Sequence, residues 1–364
     1  METNKRDTLI WLNSLGLYSD KISQIEAYLK DIREIHNIDI KSLENYNFLN
    51  KSLAYKIKSS DFKKDVSDLK ERASKLNIQI IADTDDNYPP FLKNIVDRPR
   101  VIYLKGTYTN DDKLSIAIVG SRKATPYGRW ACEKFAKELS SMGITIISGL
   151  AHGIDRIAHL SALEAKSRTI GVLGNGVDHI YPKANRGIYE EIPNNGCLIS
   201  EFPLGSLPLN FHFPMRNRII SGLSLGVIVI EAQEKSGSLI TASHAINQGK
   251  DVFALPGNIN STYSKGTNML IRDGAIPLLD LDDLLQEVSE LNIIKNKKKF
   301  KDTLTLSLSE SETKIVSQLK SGPLHCDIIS LNTGMDIQEV VSILMILEMK
   351  NVVREMGSRI FMLN

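Results

Sequence analysis

The chain has 364 residues, of which 42% are hydrophobic and 24% charged, and its formal net charge is +2. These values are typical of a soluble globular protein of two or three domains and exclude a uniformly basic surface, so any nucleic-acid site must be a local patch. Cys132, Cys197 and Cys326 lie too far apart in sequence for a disulfide framework or a zinc site. With no signal-peptide core and no long apolar run, we expect a cytoplasmic protein without membrane contact.

Helical patterns dominate residues 1–77. The stretches "DTLIWLNSLGL", "SDKISQIEAYLKDI" and "KKDVSDLKERASKL" place apolar residues three and four positions apart. This spacing is typical of amphipathic helices. The sequence therefore predicts a small helical domain, and it contains no motif that indicates a chemical role.

The pattern changes in residues 78–288, where short apolar runs alternate with helical stretches. The runs are "IAIVG", "GITIISG", "TIGVLG", "CLIS", "GVIVIE" and "DVFALPG", and "VIYLKG" ahead of them predicts one more strand. Continuous apolar strands that alternate with helices indicate a parallel sheet covered on both faces. We therefore predict an α/β core of the Rossmann-like type.

Residues 289–308 predict a basic linker, because "KNKKKFK" holds five lysines in seven positions. Residues 309–364 predict three helices followed by a two-stranded ribbon, which is a winged-helix pattern. The third of these helices carries Asp336, Glu339 and Glu348 against one lysine. Phosphates would be repelled by this helix, so we expect it to contact protein or to be structural.

Small residues follow most of the predicted core strands, among them Gly120, Gly149 and Gly174. Ligands of an open parallel sheet bind at the carboxyl ends of its strands, and open amides at helix starts bind anions. Arg122 follows Gly120 and Ser121 and offers a planar fork of donors suited to a phosphate. Ser121 could add a hydroxyl or cap the next helix. The alternative for Arg122 is a structural ion pair with Glu201 or Glu231.

A second dense segment is "LNFHFPMRNRIISGLS", residues 209–224. Its Phe211 and Phe213 stand beside Arg216, Asn217 and Arg218, and rings next to arginines suit bases stacked beside phosphates. The alternative is that both phenylalanines pack in an apolar loop. Because the arginines lie two apart, they do not share a helix face, and we expect one to bind ligand and the other to brace the fold.

Cofactor and metal signals are weak. "VLGNGVDHIYPKANR" lacks the last glycine of a dinucleotide motif, so we predict no cofactor, although its Lys183 and Arg186 could contact phosphates. His152, Asp155 and His159 share a helix face, but no further ligand is evident. We therefore expect no metal, with Asp155 bracing its helix and His159 as its hydrogen-bonding partner. The sequence contains no nucleophile elbow, P-loop or zinc-protease motif, which favours binding over turnover.

Seven blocks in this order resemble the DNA-processing protein A (DprA/Smf) family. They are "IAIVGSRKATPYG", "ISGLAHGIDRIAH", "GVLGNGVDHIYPKAN", "ISEFPLG", "FPMRNRIISGLS", "SGSLITASHAINQGKDVFALPGN" and "KGTNMLIRDGA". The resemblance implies an N-terminal helical (SAM-like) domain, an extended Rossmann-like core and a C-terminal winged helix. It also implies a non-enzymatic homodimer that binds and protects incoming single-stranded DNA and loads RecA recombinase onto it in natural transformation.

Site residues follow from the same blocks. With Phe213 from the aromatic segment, the expected DNA contacts are Gly120, Ser121, Arg122, Lys183, Phe213, Arg216 and Asn217. The expected dimer surface is Asn268, Met269, Leu270 and Ile271. Two alternatives from other classes are a Rossmann-like nucleoside-monophosphate phosphoribohydrolase and a transcription regulator acting through the winged helix. The first would need a P-G-G-x-G-T-x-x-E motif, in place of which the chain has "KSGSLITASHA" and "LPGNINS".

Overall fold

The structure is a computed structural model that describes residues 4–39, 49, 51–292, 308–320, 322–350 and 352–363. The chain forms two compact units, Met1–Leu291 and Asn292–Asn364. The lysine-rich stretch predicted as the centre of a linker, residues 295–301, lies outside the described residues. No helix within the described ranges is both long enough and apolar enough to cross a membrane.

The N-terminal segment is helical, as predicted. Its helices are α1 (Lys5–Ser14), α2 (Ser19–Tyr28), α3 (Lys51–Ser59) and α4 (Phe62–Lys75), with a 3-10 turn at Ile32–His36. Their apolar faces share one buried cluster with residues of the sheet, so Trp11 and Ile25 belong to the same core as Tyr103 and Leu198. The helical segment and the sheet therefore form a single unit.

A nine-stranded sheet is the centre of this unit. Its strands are β1 (Ile78–Ala82), β2 (Val101–Gly106), β3 (Ser115–Val119), β4 (Thr145–Ser148), β5 (Thr169–Val172), β6 (Gly196–Ser200), β7 (Gly226–Val229), β8 (Asp251–Ala254) and β9 (Ile276–Pro277). The spatial order is β1-β2-β6-β5-β4-β3-β7-β8-β9. Pairing from β6 through β9 is parallel, whereas β1 and β2 form an antiparallel extension at the β6 edge. The apolar runs named above are all strands.

Helices connect the strands and cover both faces of the sheet. They are α5 (Pro90–Lys93), α6 (Pro126–Ser141), α7 (Ile154–Glu164), α8 (Arg186–Glu191), α9 (His212–Leu223), α10 (Gly237–Asn247), α11 (Lys265–Arg272) and α12 (Leu281–Glu287). From β3 the chain proceeds to β4 on one side, while β7 lies on the other side of β3. The strand order thus reverses between β3 and β7, and open α/β sheets bind ligands at such a switch point.

The three cysteines are free and buried. Cys132 lies on α6 and Cys197 on β6, and Cys326 lies in the C-terminal unit. Burial raises the pKa of all three thiols. Each is therefore protonated at neutral pH and contributes to the fold as a small apolar side chain.

The C-terminal unit has the predicted winged-helix elements. They are α13 (Glu310–Leu319), β10 (Leu324–His325), α14 (Cys326–Thr333), α15 (Ile337–Met349), β11 (Val353–Glu355) and β12 (Ile360–Leu363). The ribbon gains the short strand β10, because β12 pairs antiparallel with both β10 and β11. Ile315, Val340 and Leu344 lie at the centre of a separate apolar core.

Candidate nucleic-acid interface

A cleft of ≈ 250 Å³ opens above the carboxyl end of β3, at the switch point of the sheet. The loop after β3, the first half of α9 and the first turn of α10 form its walls. The residues that line it include Gly120, Arg122, Phe213, Arg216, Asn217 and Ser238. Five of these six were expected as DNA contacts, and the structure brings them together around one cavity.

The start of α7 holds the loop that carries Arg122. The Ile154 amide donates to the Ser121 carbonyl at 3.1 Å. Gly153 has φ +74, and a Cβ on it would lie 2.2 Å from that same carbonyl oxygen. Only glycine satisfies both the backbone conformation and this close approach. The exposed Arg122 side chain is therefore presented to the cleft from a fixed backbone.

Arg122 faces an aromatic ring instead of a carboxylate. Its guanidinium carbon lies 5.7 Å from the centroid of the Phe213 ring. The alternative of an ion pair with Glu201 or Glu231 is wrong, because both acids have other partners. Glu201 accepts from Arg218 at 2.7 Å, and Glu231 accepts from the amide of Thr125 at 3.0 Å and from its hydroxyl. Arg122 therefore remains available to an anionic ligand.

Arg218 braces the fold, as expected for one of the two arginines of α9. Besides Glu201 it contacts Asp97 at 3.0 Å, and its side chain is buried. Arg216 is also buried, with 4% of its surface exposed. Its Nη1 donates to the carbonyl oxygens of Gly149, at 2.8 Å, and Val172. Arg216 thus ties together the ends of β4 and β5 while its guanidinium forms part of the cleft.

The environment of Arg216 disfavours its positive charge. The pKa of Arg216 is lowered to about 10, mainly by burial and also by the nearby charge of Arg122, while Asp155 opposes the shift. Burial in turn raises the pKa of Asp155, against the effect of Arg216. A Cβ on Gly149 would lie 2.5 Å from the Arg216 guanidinium and 2.8 Å from the Asp155 carboxylate. An anion bound between Arg122 and Arg216 would relieve the repulsion between these two cations.

Phe213 contacts both arginines. The Arg216 guanidinium carbon is 6.0 Å from its ring centroid, and the Tyr181 ring is 5.7 Å away at an interplanar angle of 39°. Phe213 is half-buried, because it covers Gly174, where a Cβ would lie 2.8 Å from the ring. Phe211 is 58% exposed, so it does not pack in an apolar loop. The alternative reading of the aromatic segment is therefore wrong for Phe211.

Ser121 and Asn217 have local partners in addition to their place at the cleft. The Ser121 hydroxyl accepts from the Lys123 amide and donates to the Lys123 carbonyl, both at 3.1 Å. Ser121 does not cap the following helix, because the Thr125 side chain caps α6. Asn217 donates to the Gly237 carbonyl at 3.2 Å and accepts from Arg216 Nε at 3.3 Å. These bonds fix the shape of the loop and connect α9 to α10.

Lys183 lies at the edge of this region. It begins a 3-10 turn after Pro182, is exposed, and follows Tyr181 on the same loop. Tyr181 and Pro182 line a smaller cavity that also contains Arg122, Gly174 and Phe213. The structure therefore places the loop of Lys183 beside the cleft. The ammonium group itself has no described contact with the cleft residues.

The expected dimer segment forms part of α11. Asn268 is committed to its own chain, because it donates to the Gly257 carbonyl at 2.9 Å and accepts from the Gly257 amide at 3.2 Å. Leu270 packs against the core cluster of the sheet. Met269 and Ile271 are half-buried. Within this segment, Met269 and Ile271 have the most freedom to contact a partner.

The expected hydrogen bond between Asp155 and His159 is wrong. His159 Nδ1 lies 2.7 Å from the Thr169 hydroxyl on β5, and Asp155 accepts from the Ala151 amide at 3.4 Å. His152, Asp155 and His159 do not converge on a point. Among the described residues, the group with metal-ligand spacing is His325, Cys326 and Asp327. There the His325 ring caps α14, because its Nδ1 accepts a hydrogen bond from the Asp327 amide.

Sequence reasoning missed the wall formed by the start of α10. Ser236 caps this helix, and Ser236, Gly237 and Ser238 line the cleft. The serine-rich start "SGSLIT" is a helix-capping signal, and its position after β7 places it at the switch point. Asn210, at the start of the aromatic segment, also lines the cleft and was not among the expected contacts.

The fold and cleft define a Rossmann-like protein with a cationic, partly aromatic switch-point site and a separate winged helix. A family model described as DNA recombination-mediator protein A matches residues 79–289, and one described as DprA winged helix domain matches residues 301–357. The chain belongs to the DNA recombination-mediator protein A family.

Several relatives are similar over the core. DNA processing protein DprA of Bacillus subtilis is 44% identical over 217 residues, which are 59% of this chain and 73% of the relative. The X-ray structure of DNA processing protein A from Streptococcus pneumoniae has a TM-score of 0.68 at 34% identity, covering 79% of this chain and 99% of that one. DNA processing protein A from Helicobacter pylori, a structure described for its single-stranded DNA binding mode, has a TM-score of 0.53 at 32% identity. It covers 58% of this chain and 96% of that one.

Proposed function

We propose that the chain binds single-stranded DNA in the switch-point cleft and takes part in DNA processing during natural transformation. The observation that carries the proposal is that the guanidinium groups of Arg122 and Arg216 both lie within about 6 Å of the Phe213 ring centroid, at the lining of one cleft. No carboxylate among the described residues forms a direct ion pair with either arginine. Two cations beside a ring suit phosphates and a stacked base, and the Helicobacter relative is described as binding single-stranded DNA.

The partners follow the family resemblance. We propose that the DNA-bound protein is a cytoplasmic homodimer that protects the strand and loads RecA recombinase onto it. Gly120, Ser121, Lys183 and Asn217 complete the proposed DNA path around the two arginines. The winged helix does not supply duplex binding in this proposal. Its helix α15 carries Glu339 and Glu348, and Lys350 beside it is paired with Glu312 at 2.7 Å.

We also propose that the cleft catalyses no reaction. Each acid near it has a structural role: Glu201 holds Arg218, Glu231 holds the start of α6, and Asp155 lies under Arg216. A general base needs a side chain that is free to take a proton from the substrate, and these three carboxylates are committed to contacts within the fold. Release of ribose 5-phosphate from nucleoside monophosphates by the purified protein would overturn this part and restore the phosphoribohydrolase alternative.

The experiment that tests the proposal compares single-stranded and duplex oligonucleotides in fluorescence-anisotropy titrations across a salt series. We expect tighter binding of the single strand, with an affinity that falls as salt rises, because phosphate contacts release counterions. Equal or tighter binding of the duplex would contradict the proposal and favour a regulator that acts through its winged helix.

A further inference from the structure

Two large aromatic side chains are exposed on the first turns of α6. Tyr127 is 45% exposed and Trp130 57% exposed. Their ring centroids lie 6.0 Å apart at an interplanar angle of 25°, so the rings form a stacked pair. Neither side chain lines the switch-point cleft. Single exposed rings are common on soluble proteins, but two large rings stacked on each other at the surface form a contiguous apolar patch, which is typical of a contact surface.

Neighbouring groups hold the pair in place. The Tyr127 hydroxyl donates to the Pro256 carbonyl, beyond the end of β8, at 3.0 Å. The ammonium of Lys134 lies 5.7 Å from the Trp130 ring centroid. These contacts fix the rings from one side and leave about half of each side chain open to solvent. A ring fixed before binding loses little conformational entropy when a ligand stacks on it.

The surrounding charge is positive. Residues 122–134, "RKATPYGRWACEK", contain four basic side chains and one acidic one, Glu133. Lys123 and Arg129 are exposed, and Lys134 is half-buried against Trp130. An aromatic pair surrounded by basic groups complements a nucleic acid, whose bases stack while its phosphates attract the cations.

The pair also continues the proposed DNA path. Tyr127 lies five positions after Arg122, and such a segment spans at most about 17 Å. Glu231 fixes the turn between them through Thr125. The Tyr127 hydroxyl reaches Pro256 after β8, and the Trp130 ring stacks on Tyr127, so both rings lie on the helix that follows the Arg122 loop.

We propose that Tyr127 and Trp130 form a second nucleotide-stacking site, which extends bound single-stranded DNA beyond the cleft. This inference rests on the proposed function, because it requires that the strand first binds at Arg122. The main competing occupant is a second copy of the chain. The basic surroundings favour DNA, since two identical positive surfaces repel each other.

The chain itself offers a direct optical test. It contains two tryptophans, and Trp11 is buried with 2% of its surface exposed, so quenching by DNA reports on Trp130. We expect an oligonucleotide on the order of 15 nucleotides to quench this fluorescence, because it is long enough to reach both sites. A dinucleotide, which is too short to contact both Arg122 and Trp130, should bind without quenching.

Affinity gives the second readout. Trp130→Ala should weaken binding of the longer oligonucleotide about tenfold, the loss expected for one stacked base, and leave the shorter one unchanged. Trp130→Phe keeps a ring and should retain the affinity of the unaltered protein. Tyr55→Ala is the matched control, because Tyr55 is 65% exposed and lies on α3 in the N-terminal segment.

The outcomes separate this inference from the proposed function. If Arg122→Ala abolishes binding and Trp130→Ala changes nothing, the cleft binds DNA and the stacking site is wrong. If the unaltered protein binds neither oligonucleotide, both proposals fail. If Trp130→Ala reduces the sedimentation coefficient of the free protein, the pair is a contact between copies and the DNA site is overturned.

Discussion

The two arginines of the cleft, Arg122 and Arg216, differ in burial and in their contacts. Arg216 is buried and bonded to two carbonyl oxygens at strand ends, whereas Arg122 is exposed and faces a ring. Removal of Arg216 would leave buried carbonyl acceptors without a donor. A substitution of Arg216 would therefore lower the stability of the fold as well as the affinity for DNA. Arg122 makes no such bonds to the fold. Arg122 is therefore the side chain whose removal reports on DNA alone.

Arg122→Ala should lower single-strand affinity by about tenfold or more and reduce the slope of log affinity against log salt by about 0.7, the value for one phosphate. Because Arg122 is exposed, the unfolding free energy should change by no more than about 0.5 kcal/mol. Anisotropy titrations and urea unfolding measure the two effects. Arg33→Ala, which removes the same charge from the N-terminal segment, should leave affinity unchanged. Equal affinities for the Arg122 and Arg33 variants would contradict the assignment.

The contacts of individual side chains were less predictable than their location. The motif after β3 predicted that Arg122 would be at the cleft, because a strand end fixes where its next residue lies. The choice between Phe213 and a carboxylate as its neighbour depended on how α9 crosses the sheet. Likewise, His159 pairs with Thr169 on β5, a partner ten positions away that spacing within α7 could not indicate.

At the scale of elements, the buried parallel strands and the added strand β2 were predictable, whereas the outer strand β1 was not. Strands such as β3, buried at every position, read as continuous apolar runs that helices separate. The short strand β1 has an exposed Gln79 among buried residues, and its antiparallel pairing with β2 leaves no comparable signal. The start of α10 shows neither the glycine nor the arginine that marks other strand ends, because a serine cap forms this wall of the cleft.

The contact between α7 and β5 predicts a pH dependence of stability. Burial lowers the pKa of His159 to about 3, and the charge of Arg216 adds to the shift. In the unfolded chain the His159 ring titrates near its ordinary pKa of about 6.5. Below that pH the ring is protonated in the unfolded state but stays neutral in the folded state. Stability should therefore fall as pH drops from about 6.5 towards 3, by up to about 1.4 kcal/mol per pH unit.

Urea unfolding at pH 7.5 and pH 5.5 measures this effect. His159→Asn removes the titrating ring and should show a smaller loss of stability between the two pH values, by about 1.4 kcal/mol. His325→Asn, in the C-terminal unit, is the control and should keep the full loss in the Met1–Leu291 unit. An identical loss for His159→Asn and the unaltered protein would show that His159 is not the group responsible.

At the scale of the whole molecule, the core and the winged helix each have an apolar cluster of their own. The family relationship concerns both parts, since separate family models match the core and the C-terminal segment. The proposed homodimer depends on the core. In a two-fold dimer the same surface contacts itself, so any substitution there acts twice.

Ile271→Glu should convert the dimer to monomers in sedimentation velocity, because an isologous apolar contact would then bury two carboxylates. Met269→Glu should act in the same direction. Ile246→Glu is the matched control: Ile246 is 58% exposed on α10, and its replacement should leave the sedimentation coefficient unchanged. A dimer that survives both the Met269 and the Ile271 substitutions would place the interface elsewhere.

The burial of all three thiols has a practical consequence for chemical labelling. Because Cys132, Cys197 and Cys326 are enclosed and held in the protonated form, alkylating reagents meet no reactive native thiolate on the folded chain. A single cysteine introduced at an exposed position would then carry a fluorophore or spin label alone, without prior removal of native cysteines. Because only the introduced cysteine would carry the label, its signal would report the approach of DNA to that one surface of the intact protein.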